Sequence, residues 1–293
     1  MLTVAQAFHA FLQTLELTDK EQAEASRQQN ALRENLRKEL GTSIRDILSG
    51  SYSRKTAIRP LNDIDLFIIL DPKVHAASYP PAPPLTCLQM IEAALKKAYP
   101  QHAPKIQGRS VHIDFKGTGI GYDVVPAFDE PKGGEYKIPD RDRNEWIRTN
   151  PEKHAEACKA ANVGAGGKLN QLIKAAKRWN CRQPEAARLR SFHLEVMSYE
   201  AFSTGPASFP EGLAALFGFL ADRVLKTCAE PAGIGPNIDA GMTQTERTAA
   251  RTALLAAAKT AERALEHDKA GRMQEAHKEW RALLGDDYPE TGR

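Results

Sequence analysis

The stretch that most constrains this chain runs from Gly50 to Leu70, GSYSRKTAIRPLNDIDLFIIL. Asp63 and Asp65 stand just before the apolar, β-prone run Leu66-Phe67-Ile68-Ile69-Leu70, which reads as a buried strand. Side chains alternate across an extended strand, so the two carboxylates share one face. Two adjacent negative charges repel each other and lose hydration on burial, so a core strand cannot carry them without a cation. A metal ion at the rim of the sheet resolves the conflict. Upstream, Gly50-Ser51 is a small-residue turn able to bring backbone N–H groups and a hydroxyl to phosphate oxygens. Eleven residues separate that turn from Asp63. A phosphate cradle, a spacer and paired acids together predict magnesium-dependent nucleotidyl transfer.

Composition narrows the surroundings of such a site. A chain of 293 residues with 42% hydrophobic content can build one large domain or two intimate ones. The net charge of +3 is too small to argue for a dedicated duplex-binding surface. Cys87, Cys158, Cys181 and Cys228 are widely spaced with no Cys-x-x-Cys pair. They read as reduced, buried thiols, not as a disulfide framework or zinc site. The N-terminus lacks a basic leader region, and no apolar run approaches the ~18 residues of a membrane span. The expectation is a soluble, cytoplasmic protein.

Thr18 and Glu21 form a capping-box signature that opens a helix running to about Leu40 and stopping at Gly41. Its narrow stripe of Ala25, Leu32, Leu36 and Leu40 predicts a long brace across a domain surface. Residues 71–84 contain five prolines and read as a loop, followed by a helix from about Leu85 to Ala98. Alternation from Arg109 to Phe128 around Gly117, Gly119 and Gly121 predicts a β-hairpin packed on the Asp63 strand. After Pro151 the segments 152–180, 185–203, 210–229 and 243–270 are helical in composition, the last opening with a Thr243/Glu246 capping box. The fold expected is α+β: a catalytic lobe over 1–155 with a mixed sheet and brace helix, and an all-helical lobe over 156–293.

Nucleotidyl transfer needs a stabilised α-phosphate and a deprotonated sugar hydroxyl, which two magnesium ions roughly 3.5–4 Å apart supply. Asp63 and Asp65 can bridge them, and a third carboxylate on a neighbouring strand would complete the set. Asp123, in the apolar segment Tyr122-Asp123-Val124-Val125-Pro126, is the candidate. Asp114 competes, but its cleanly alternating neighbours Ile113 and Phe115 read as a solvent-facing strand position.

Gly50-Ser51, Leu61-Asn62-Asp63-Ile64-Asp65-Leu66 and Tyr122-Asp123-Val124-Val125-Pro126 together resemble the catalytic signature of the polymerase-β nucleotidyltransferase superfamily. Within it they are most similar to the bacterial cGAS/DncV-like nucleotidyltransferases (CD-NTases). The likeness continues through Ala176-Lys177-Arg178-Trp179, Ser191-Phe192-His193-Leu194-Glu195 and the closing Glu279-to-Gly285 segment. It implies that Asp63, Asp65 and Asp123 are catalytic and hold Mg2+ (two ions, with Mn2+ as a substitute), and that Gly50, Ser51, Lys177 and Ser191 bind nucleotide. It also implies an active site in the cleft between lobes and a cyclic di- or trinucleotide made from NTPs, ATP among them. A separate effector would read that product in CBASS-type anti-phage defence. Many relatives carry glycine where Lys55 stands, which leaves the local loop geometry open.

Plainer readings stand beside these. Lys177 lies in a helix rich in Lys and Arg, where a solvated face is the ordinary case. Ser191 reads equally as a helix cap, Glu195 as an ion-pair partner, Trp179 and Trp280 as core, and His193 as packing. Arg141, Arg143 and Trp146 fit either a cleft lining or a connecting helix. The rival function is a single-step nucleotidyltransferase that modifies a protein, RNA end or small molecule with the same metal site. A third reading is a non-catalytic nucleotide- or RNA-binding module. A regulatory protein or nucleic-acid activator has no motif in its favour.

Overall fold

The computed structural model describes residues 2–290. In chain order the elements are α1 (Val4–Leu15), α2 (Asp19–Leu40), β1 (Arg45–Leu48), the short α3 (Gly50–Ser53), β2 (Asp63–Leu70), α4 (Pro84–Ala98) and β3 (Lys105–Ile106). Then come β4 (Val111–Phe115), β5 (Ile120–Asp129), β6 (Tyr136–Asp140) and β7 (Glu145–Thr149). The helices α5 (Pro151–Gly164), α6 (Leu169–Cys181), α7 (Ser191–Ser198), α8 (Phe209–Arg223), α9 (Gln244–Lys269) and α10 (Met273–Leu284) complete the chain. The α+β expectation, with a mixed sheet, a long early helix and a helical C-terminal part, is what the structure has. Among the described residues no helix is long and apolar enough to cross a membrane.

Two compact units divide the chain. One runs from Leu17 to Ala155 with the short piece Ala232–Gly235, and the other takes the remainder. The first is built on a seven-stranded sheet in the order β1-β2-β5-β4-β3, with β6 on β5 and β7 on β6. Only β2 and β5 run parallel; the other pairings are antiparallel.

Alternation along β2 sends Ile64, Leu66, Ile68 and Leu70 into a core shared with Leu32 and Leu36 of α2 and Leu88, Ile91 and Leu95 of α4. Phe67 and Ile69 point the other way and pack with Val125, Ala127, Tyr136, Ile138 and Ile147. The brace helix α2 starts where its capping box demands. Thr18 Oγ1 accepts from Glu21 N at 3.2 Å, and Glu21 Oε2 accepts from Thr18 N at 2.8 Å. Ala25, Leu32, Leu36 and Leu40 are its buried stripe, and Tyr122 Oη donates to Ala25 O at 2.7 Å.

The helical unit corrects the expected domain boundary, because residues up to Glu16 belong to it and not to the catalytic lobe. The reason is apolar packing. Phe8 of α1 stacks edge-on against Trp280 of α10, ring centres 4.6 Å apart, and meets Tyr288 at 5.7 Å. Lys174 of α6 binds Glu16 at 2.6 Å at the far end of α1.

Three further expectations change. Residues 136–149 form the hairpin β6–β7, so Arg141, Arg143 and Trp146 sit in and beside its turn and not on a connecting helix. Trp146 is used structurally, donating Nε1–H to Ala82 O at 2.8 Å. Cys181 is exposed, whereas Cys87, Cys158 and Cys228 are the buried free thiols expected. The 185–203 segment keeps only α7 as α-helix.

Candidate active site

The parallel register of β2 on β5 builds the site. Asp65 pairs with Asp123, Phe67 with Val125 and Ile69 with Ala127. Paired residues in neighbouring strands project to the same face, so on both strands one face begins with an acid and continues into core. The apolar part of that face is covered by β6 and β7 residues; the acids lie beyond the cover. Asp63, one pleat earlier on β2, shares the face and is exposed, while Asp65 and Asp123 are half-buried. Among the described residues no three His, Cys, Asp or Glu side chains are grouped tightly enough to hold an ion as they stand. The arrangement is two acids side by side, with a third a pleat away.

The loop after β1 closes against these acids. Ser49 N donates to Asp65 O at 2.9 Å, which sets Gly50, at φ +66°, directly beside the Asp65 side chain. A Cβ at Gly50 would lie 1.6 Å from Asp65 Oδ2, so no other residue fits there without moving the carboxylate. Ser51 follows at once. Lys55 holds φ +60°, a left-handed conformation that ordinarily favours glycine because a Cβ is strained in it.

Charge at the site is unbalanced. Burial, then Asp123 and Asp63, push the Asp65 carboxyl up from 3.8 to about 6, and the buried Arg54 offsets only part of this. On β4, His112 stands opposite Asp123. Its Nδ1 lies 2.9 Å from Asp123 Oδ1 and its Nε2 2.9 Å from Asp114 Oδ1. Burial disfavours a charged His112, but the hydrogen bonds and charges of Asp114 and Asp123 outweigh it and hold the imidazole above its ordinary pKa. The two rival third acids are therefore joined through one ring.

A face of acids fed by a small-residue turn, on a mixed sheet with one parallel pair, is the geometry against which known proteins can be compared. The profile of the Second Messenger Oligonucleotide or Dinucleotide Synthetase domain family matches residues 1–162. The chain belongs to this family. It is a nucleotidyltransferase of the bacterial cGAS/DncV-like type.

The cyclic AMP-AMP-AMP synthase of Escherichia coli strain MS 115-1 is 28% identical over 214 residues, spanning 69% of this chain and 65% of that enzyme. A cyclic AMP-AMP-AMP synthase from an Acinetobacter species is 25% identical over 315 residues, covering 99% of this chain and 87% of its own length. Among solved structures, the E. coli MS115-1 CdnC:HORMA-deltaN complex shares the fold with a TM-score of 0.75, at 22% identity over 97% of this chain and 98% of its own.

In this nucleotidyltransferase the remaining predicted residues lie in the helical unit. Lys177 of α6 is buried, and its Nζ donates to Glu195 Oε2 at 2.7 Å. Glu195 of α7 also accepts from Tyr199 Oη at 2.8 Å, which makes it the structural ion-pair partner that its sequence position suggested. Ser191 is exposed at the first position of α7, and the N-cap is Arg190, not Ser191. Trp179, Trp280 and His193 are core.

Sequence reasoning missed His112, Gly121 and Arg54. His112 precedes Asp114 by two residues on an alternating strand, so its face could be read. Its partnership with Asp123 needs the β4–β5 register, which no local pattern carries.

Proposed function

We propose that the chain joins NTPs, ATP among them, into a cyclic oligonucleotide, with Asp63, Asp65 and Asp123 as the catalytic carboxylates. The observation that carries this is the register placing Asp65 beside Asp123 on one sheet face. Three acids sharing one field, with Asp65 pushed to about 6, fit a site completed by divalent cations such as Mg2+ or Mn2+. Bound there, such ions would neutralise developing phosphate charge and acidify the acceptor hydroxyl. The protein's own part is positional. The β2–β5 pairing fixes two acids side by side, and Gly50 leaves room for Asp65 while Ser51 offers its backbone and hydroxyl to the donor triphosphate.

Lys177 and Ser191 serve as further phosphate contacts in this reading. By likeness to the relatives, the setting is CBASS-type defence in the cytoplasm. A regulatory protein of the kind bound in the CdnC:HORMA-deltaN complex is a fitting partner, and a separate effector would read the product.

Mass spectrometry of products from mixed NTPs with Mg2+ and no other acceptor tests the reading. The expected result is a phosphatase-resistant cyclic oligonucleotide that disappears in Asp65→Asn. Product formed only when a protein, RNA or small-molecule acceptor is added would replace it with the single-step transferase.

A further inference from the structure

Asp123 is a flexible carboxylate set beside another acid. Left to itself it would turn away from Asp65, because like charges gain by separating. The structure supplies what prevents this. On β4, His112 stands directly across from Asp123, and its Nδ1 lies 2.9 Å from Asp123 Oδ1, with Oδ2 outside that hydrogen bond.

The imidazole is itself fixed at three points. Its Cβ is set by the β4 backbone, whose register places Asp114 opposite Gly121. Its Nε2 is tied to Asp114 Oδ1 at 2.9 Å. Its ring lies over Gly121, where an added Cβ would fall 2.6 Å from His112 Cε1 and 3.1 Å from Nε2. Gly121 thus provides the space the ring needs, and Asp114, with 72% of its side chain exposed, acts as an outer anchor for a ring only 21% exposed. A solvent-facing acid, a missing side chain and a histidine thereby converge on one oxygen of a half-buried carboxylate.

We propose that His112 is a positioning residue for Asp123: it holds Oδ1 and so orders the carboxylate for a divalent cation that Asp63, Asp65 and Asp123 would hold, and Asp114 holds His112. The proposal rests on the metal-site reading of Asp63, Asp65 and Asp123. Hydrogen-bond partners of metal-ligating carboxylates matter because they order the ligand in advance, and removing them typically weakens metal affinity by about 10–100-fold.

The test is Mn2+ binding to the metal-free full chain, followed by calorimetric titration with and without a non-hydrolysable ATP analogue, with circular dichroism to confirm folding. His112→Leu, which removes the donor, is expected to weaken Mn2+ binding about tenfold or more. His112→Asn places its amide nitrogen near the position of Nδ1 and should stay within about threefold of the wild type. Asp114→Ala removes the outer anchor at an exposed position and should weaken binding by a smaller factor, about two- to fivefold.

Asp65→Asn is the control that separates the two levels. If it still binds Mn2+ normally, the metal-site reading fails. If it abolishes binding while His112→Leu binds like the wild type, the site stands and the role of His112 is overturned. His112→Asn as weak as His112→Leu also overturns it, because ring bulk and not the donor would then matter. Should His112→Leu fail to fold, unchanged affinity in Asp114→Ala overturns it.

Discussion

Asp65 and Glu195 are both carboxylates withdrawn from water, in different units and in opposite company. Asp65 is flanked by Asp123 and Asp63, and its proton affinity rises to about 6. Glu195 is fully buried, yet it accepts from Lys177 Nζ at 2.7 Å and Tyr199 Oη at 2.8 Å. One setting gathers like charges with Arg54 offsetting only part of their effect on Asp65; the other pairs its carboxylate with a cation at hydrogen-bond distance. An ion pair of this kind supports the fold, because each buried charge has its opposite beside it, whatever else Lys177 contacts. A like-charge cluster costs the fold and is retained where something else binds. Buried charge alone therefore does not mark a site; the sign of its neighbours does.

The comparison can be broken most decisively at the acids. Asp65→Asn or Asp123→Asn should reduce product formation by on the order of a thousandfold, the value of several kcal/mol of lost charge stabilisation. Gly50→Ala should approach the same loss, since its Cβ would strike Asp65. Initial rates of cyclic product by chromatography check all three.

At the paired site the loss should be of stability. Lys177→Met strands Glu195 in the core and is expected to cost about 3–5 kcal/mol, read by chemical denaturation. The double variant Lys177→Met/Glu195→Leu should recover most of that. If Lys177→Met leaves stability unchanged, the contrast between the two carboxylates fails.

A smaller effect separates the two sites by pH. The folded-state pKa of Asp65 is raised, so protonation favours the folded chain. Its contribution is fully present below 3.8 and is lost as pH rises through about 6. Metal-free Asp65→Asn should therefore match the wild type near pH 4 and exceed it by about 1 kcal/mol near pH 7.5, after discounting for solvent screening. The same titration makes Mn2+ compete with a proton, so affinity should fall as pH drops below about 6. The smallest change concerns the loop feeding the acids. Lys55→Gly should relieve the left-handed strain and raise stability by about 0.5–1 kcal/mol in thermal unfolding.

Much of this architecture is legible in the amino-acid sequence. The capping boxes at Thr18 and Thr243 open α2 and α9 where expected, because capping is settled within four residues. The acids of β2 are readable because alternation is equally local. Residues 136–149 are not: Pro139 and the charged tip from Asp140 to Arg143 mask a short hairpin whose apolar members pack on the sheet. The N-terminal α1 is hidden for a related reason. Its Phe8 and Phe11 find their partner in Tyr288, nearly the whole chain away.

What the sequence by itself determined is the pair Asp63 and Asp65 on one face of an apolar strand, the glycine turn preceding it, and the division into a sheet-bearing part and a helical part. Each depends on periodicity or capping over a few residues, where the backbone dictates direction. Only the tertiary structure decided that Asp123 stands beside Asp65, that His112 ties it to Asp114, and that Lys177 is closed on Glu195. Those relations are set by strand register and helix packing, which join residues that local pattern leaves independent.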